Sequence, residues 1–115
     1  MLSSILFEEG GVLNLSMYLR KRQVIKTLTG NGFKVFYTLL ELSVKERRNN
    51  KDFDGWVKVS YNQLRQMTGV QSIVRVVDEF LELEDGVIEV RSEDGVSNCY
   101  RIASEIVDER MMFYA

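Results

Sequence analysis

The chain has 115 residues, 45% of them hydrophobic and 28% charged, which suits one domain with a real core and is too short for two. Histidine is absent and Cys99 is the single cysteine, which excludes a His-based triad, a zinc finger, a Cys/His metal cluster and an internal disulfide. The net charge of −2 hides a division, because residues 1–75 carry 12 Lys/Arg against 6 Asp/Glu (net +6) and residues 76–115 carry 3 against 11 (net −8).

Residues 1–31 read as an N-terminal extension. Within it Val12–Leu15 suits a short extended piece. Ser16 suits the cap of a short helix through about Leu28, with Tyr18, Val24, Ile25 and Leu28 partly on one side. Thr29–Gly32 reads as a turn cluster that ends it. From Phe33 to about Arg47 the spacing of Phe33, Phe36, Tyr37, Leu40 and Val44 predicts a helix, widened by Val35, Leu39 and Leu42 into a central, multiply packed one. Asn49–Gly55 follows as a polar loop, and the alternation in Trp56–Ser60 predicts a short strand.

Ser60 and Gln63 have the spacing of a capping box opening a helix of about eight residues, with Leu64 and Met67 turned inward and Gly69 at its left-handed end. A third helix is predicted from about Ser72 to Glu84, its inward stripe made by Ile73, Val76, Val77, Phe80 and the Leu83/Glu84 position, with Gly86 stopping it. Val87–Ser92 and Ser97–Ile102 flank Asp94-Gly95, a strong hairpin signal because both turn residues tolerate positive φ. Ser104 suits the cap of a last helix over 104–115, with Ala103, Ile106, Val107 and Met111 along one side.

No apolar run approaches the ~20 residues of a membrane helix, and the start from Met1 lacks a basic, then long apolar, leader pattern. With one cysteine as well, a reducing cytoplasm is the expected location, nucleoid- or plasmid-associated, and no membrane partner is expected. There is no Gly-rich phosphate loop and no Gly-x-Ser-x-Gly elbow, and the 17 acidic residues read as solvated surface rather than a carboxylate Mg²⁺ site. The expectation is therefore a non-enzyme without cofactor or metal.

The order over residues 33–102 is helix, strand, helix, Gly-containing turn, helix, hairpin. Carried by the segments Phe33–Leu40, Val59–Val70 and Ile73–Ile88 with the hairpin to Ile102, it resembles the winged helix-turn-helix DNA-binding family. Within that family it looks most like the domains of phage and plasmid replication initiators, DnaD-like proteins and plasmid partition adaptors such as TubR. The segment Phe80–Ile88 is a residue shorter than the usual helix-to-wing junction. The resemblance implies an α+β, mostly helical single domain: a three-helix core plus a β-hairpin wing, with N- and C-terminal extensions. It also implies a sequence-specific binder of double-stranded DNA, acting as a homodimer in partition, replication or transcriptional control.

A helix fits the major groove, and its leading turn presents free amides and a positive dipole end to phosphates. In the third helix the candidates are Gln71, Ser72 and Arg75, with Gln suited to adenine and Arg to guanine; Gln71 and Ser72 also suit plain capping. Tyr61, Asn62 and Arg65 expose the start of the second helix to phosphate. Arg91, with Ser92, Ser97 and Asn98, could touch backbone or minor groove from the wing, although Glu93-Asp94 at its tip would be repelled. Arg47, Arg48, Lys51 and Lys58 read either as a phosphate clamp or as a solubilising face; Lys45 reads as dipole compensation. Val74 and Leu81, with the apolar tail Met111, Met112 and Phe113, suggest a two-fold dimer, unless residues 1–28 cover them. The competing reading is a winged-helix adaptor that docks a basic protein through its acidic half and has no DNA role.

Overall fold

The computed structural model describes residues 30–83, 87–92 and 97–114, with side chains through Met112. Helix α1 spans Gly30–Asn49, strand β1 Trp56–Ser60, helix α2 Tyr61–Thr68 and helix α3 Ile73–Leu81. Strands β2 (Ile88–Ser92) and β3 (Ser97–Ile102) follow, then helix α4 (Ser104–Tyr114). The chain is thus α+β and mostly helical, in an order compatible with a winged helix.

Helix α1 is the hub, as its many-sided apolarity predicts. Val35, Phe36, Leu39, Leu40 and Val44 are buried, and the helix packs on α2, α3, α4, β1 and β3. Phe36 meets Phe80 of α3 edge-on, with ring centroids 6.4 Å apart and planes at 70°. The helix begins earlier than expected: Gly30, Asn31 and Gly32 are helical, not a turn. Glycine disfavours a helix by about 1 kcal/mol, but Gly32 is buried and the packed Val35 and Phe36 lie one turn on, so tertiary packing overrides the local preference.

The sheet is three-stranded and antiparallel in the order β1-β3-β2, so the early strand β1 joins the hairpin by its far side. Trp56 pairs with Arg101 and Ser60 with Ser97, while Ile88 pairs with Ile102 and Ser92 with Asn98. Alternation puts Val57, Val59, Ile88, Val90, Asn98, Tyr100 and Ile102 on the inner face. Trp56, Lys58, Glu89, Arg91, Cys99 and Arg101 lie on the outer one.

Two further expectations are corrected. Met67 is 48% exposed; the second buried position of α2 is Thr68, whose hydroxyl donates to the Leu64 carbonyl (2.7 Å) and accepts from the Val70 N–H (3.1 Å). Because its hydroxyl is satisfied twice, threonine can occupy the core position that the more apolar methionine was expected to fill. Helix α3 is also shorter than 72–84: Ser72 is its N-cap, Glu82 its C-cap, and Leu83 is half-buried beyond the end. The expectations for Val12–Leu15, Ser16–Leu28, Glu84–Gly86, the turn at 93–96 and the Phe113 side chain lie outside the described residues. Among the described residues no helix is long and apolar enough to cross a membrane.

Candidate nucleic-acid interface

Helix α2 is closed at its start by side chains and at its end by a glycine backbone. Ser60 Oγ accepts from the Gln63 N–H (3.0 Å) while Gln63 Oε1 accepts from the Ser60 N–H (2.9 Å), the reciprocal box that the spacing predicts. Gly69, at φ +75°, takes the left-handed position and donates its N–H to the Arg65 carbonyl. Arg65 then works inward. Its Nη1 donates to Asn62 Oδ1 (3.0 Å) and its Nε to the Gln71 carbonyl (3.2 Å), tying α2 to the turn that aims α3. Asn62 and Arg65, expected to reach phosphate, are thereby engaged with each other.

Helix α3 is built the other way. Ile73, Val76, Val77 and Phe80 bury one side, and Ser72 caps the backbone without a side-chain hydrogen bond. Gln71, Ser72 and Arg75 are all exposed at its front, and Arg75 has no hydrogen-bonding or ionic partner among the described residues. The helix has no acidic residue in its first turn and no basic one in its last. Arg75 stands instead near the positive end of the dipole, while Asp78, Glu79 and the C-cap Glu82 stand near the negative end. Each such placement opposes the dipole and costs about 0.3–1 kcal/mol at low salt. The front of α3 therefore carries concentrated positive potential and the rear concentrated negative potential.

In the sheet, the candidate Asn98 is corrected: it is 9% exposed and sits on the inner face. Its Nδ2 donates to the Tyr61 hydroxyl (3.1 Å) and more weakly to that of Tyr100 (3.4 Å), joining β3 to the first residue of α2. Tyr61 is accordingly half-buried, and burial pushes the Tyr100 phenol up to about 12. The parity of β3 carried this signal, since Asn98 alternates with Tyr100 and Ile102.

On the outer face Lys58 and Arg91 flank Cys99 in register. The Trp56 ring has two guanidinium carbons near its centroid, Arg91 at 4.4 Å and Arg101 at 4.7 Å. Arg101 also pairs with Glu89 (2.5 Å). Trp56 and Arg101 were not singled out by the sequence, because only the β1–β3 register brings them together.

The remaining basic candidates do not converge on α3. Arg47 lies 3.4 Å from Asp108 of α4, an exposed pair worth ~0–1 kcal/mol. It borders a cleft of about 390 Å³ with Gly55, Glu89, Arg101 and Glu105, whose charges are mixed. Arg48 and Lys51 are exposed at and after the end of α1. Among the dimer candidates, Val74 (51%), Leu81 (62%) and Met112 (75%) are exposed, whereas Met111 is half-buried against the core. Arg110, unforeseen, is 6% exposed and holds α4 to α1 through Glu41 Oε2 (2.5 Å) and the Tyr37 hydroxyl (2.6 Å).

No known protein family, curated protein or solved structure matches the chain.

Proposed function

We propose that the chain is a sequence-specific double-stranded DNA-binding protein of winged-helix type, with the front of α3 entering the major groove and no catalytic role. The observation that carries this reading is the inverted charge order of α3, which sets Arg75, Gln71 and Ser72 outward at the positive dipole end. Local rules are broken most readily where a ligand repays the cost. A phosphate or guanine edge met there would find a guanidinium fork, a carboxamide and free helix amides. Exposed Val74, Leu81 and Met112 support a second copy as partner, so that two subunits would read half-sites about one helical turn apart. Plasmid or phage partition, replication and transcriptional control are the settings this reading fits.

The test is selection from a randomised duplex pool, followed by mobility shift of the enriched sequence at two salt concentrations. With about three to five phosphate contacts per subunit, affinity should fall with a log–log slope of about −0.9 per contact. Failure to enrich any sequence, with no retardation even at low salt, would abandon the DNA reading. The second reading is an adaptor for a basic protein partner without DNA. It is favoured by one specific observation, that Asp78 and Glu82 are exposed one and two turns behind Arg75.

A further inference from the structure

The outer face of the sheet and the trailing end of α3 are opposite in charge and similar in kind. The first presents Lys58, Arg91 and Arg101 around the half-buried Trp56, with Glu89 the one acid among the described residues of that face. The second presents Asp78 and Glu82 beside Leu81, at a helix end whose dipole adds further negative potential. We infer that the sheet face of one copy receives the acidic trailing end of α3 from a second copy, a head-to-tail contact between two different patches.

Four observations favour this occupant. Within one molecule the two patches cannot meet, because the inner face of the sheet and the buried side of α3 share the core and their outer sides look away from it. A two-fold contact of α3 on α3 would bring Asp78 and Glu82 towards their own copies, whereas the head-to-tail contact sets them against Lys58 and Arg91. Leu81, 62% exposed, gains an aromatic and aliphatic surface in place of water. Arg91 and Arg101 both lie over the Trp56 ring, and although Arg101 is paired with Glu89, Lys58 and Arg91 leave the described part of the face net positive, opposite in sign to the helix end. A contact between unlike patches leaves one of each kind open at the ends, so it extends unless it closes into a ring. This inference does not depend on DNA binding.

The experiment is sedimentation velocity on the full chain over a concentration series at low and high salt, with two variants. Lys58→Glu with Arg91→Glu reverses the sheet face; Asp78→Lys with Glu82→Lys reverses the helix end. All four positions are exposed, and circular dichroism checks that both variants fold. The wild type should associate, more weakly at high salt, and each variant alone should associate at least about tenfold more weakly. Mixed in equal amounts, the two should associate again, since the intact helix end of one meets the intact sheet face of the other and the two reversed patches are likewise opposite in sign. Emission from Trp56, the only tryptophan in the chain, should shift on mixing. A wild type that stays monomeric would overturn the inference, as would a sheet-face variant that dimerises alone or a mixture that does not pair. Should a DNA oligonucleotide shift Trp56 emission while no self-association occurs, the face belongs to nucleic acid and the inference fails.

Discussion

Helices α2 and α3 are neighbours of almost equal length, eight and nine residues, yet they are stabilised by opposite means. Helix α2 buries little, Leu64 and Thr68, and closes itself with Ser60, Gln63, Gly69 and a basic residue in its last turn. Helix α3 buries four apolar side chains and has no side-chain cap at its start: its N-cap serine makes no side-chain bond, only backbone N–H groups close its far end, and its charges oppose its dipole. The difference separates polar groups consumed by the fold from polar groups left available. A helix held by burial can afford an outer surface arranged for something other than its own stability.

The comparison breaks most forcefully at Phe80. Phe80→Ala removes a side chain 1% exposed and its edge contact with Phe36, and should cost about 3–5 kcal/mol in urea unfolding. A loss below 1 kcal/mol would mean that burial does not hold α3. Next comes Gly69→Ala. An added Cβ there meets nothing within 4 Å, so the cost is that of a left-handed non-glycine residue alone, about 1–2 kcal/mol. An unchanged melting temperature would show that α2 does not need its left-handed end.

The two cap serines give a sharper contrast. Ser60→Ala removes one half of the reciprocal box and should cost about 1 kcal/mol. Ser72→Ala removes no side-chain bond and should cost distinctly less; equal losses in parallel denaturation curves would erase the distinction drawn between the helices. Smallest for stability is Arg75→Ala, expected within about 0.5 kcal/mol. Its effect should fall on DNA instead, lowering discrimination at one base pair by about 1–3 kcal/mol in competition shifts. Were DNA binding unchanged, the front of α3 would not be the reading surface.

What the sequence made legible was local. The capping box, the left-handed glycine, the apolar stripe of α3 and the two alternating runs of the hairpin each lie within a few residues, and each is present. What it concealed depended on distance or on a competition between neighbours. Arg110 meets Glu41 and Tyr37 across 69 and 73 residues, and nothing near Arg110 announces them. Trp56, Arg91 and Arg101 come together only through the β1–β3–β2 order. Thr68 outranked Met67 because its hydroxyl finds two backbone partners, which hydropathy does not register. For the candidate site, Gln71, Ser72 and Arg75 are exposed as expected, whereas Asn98 and Arg65 are built into the fold.

The lone thiol offers a last consequence. Cys99 lies on the middle strand, with Lys58 and Arg91 beside it in register, and is 5% exposed although it points to the outer face. A thiol reagent should reach it only when the strand opens. Labelling rates followed across denaturant would therefore time the opening of the sheet's centre, separately from fraying at the helix ends. The same shelter makes oxidative damage at this sulfur a report of prior unfolding rather than its cause.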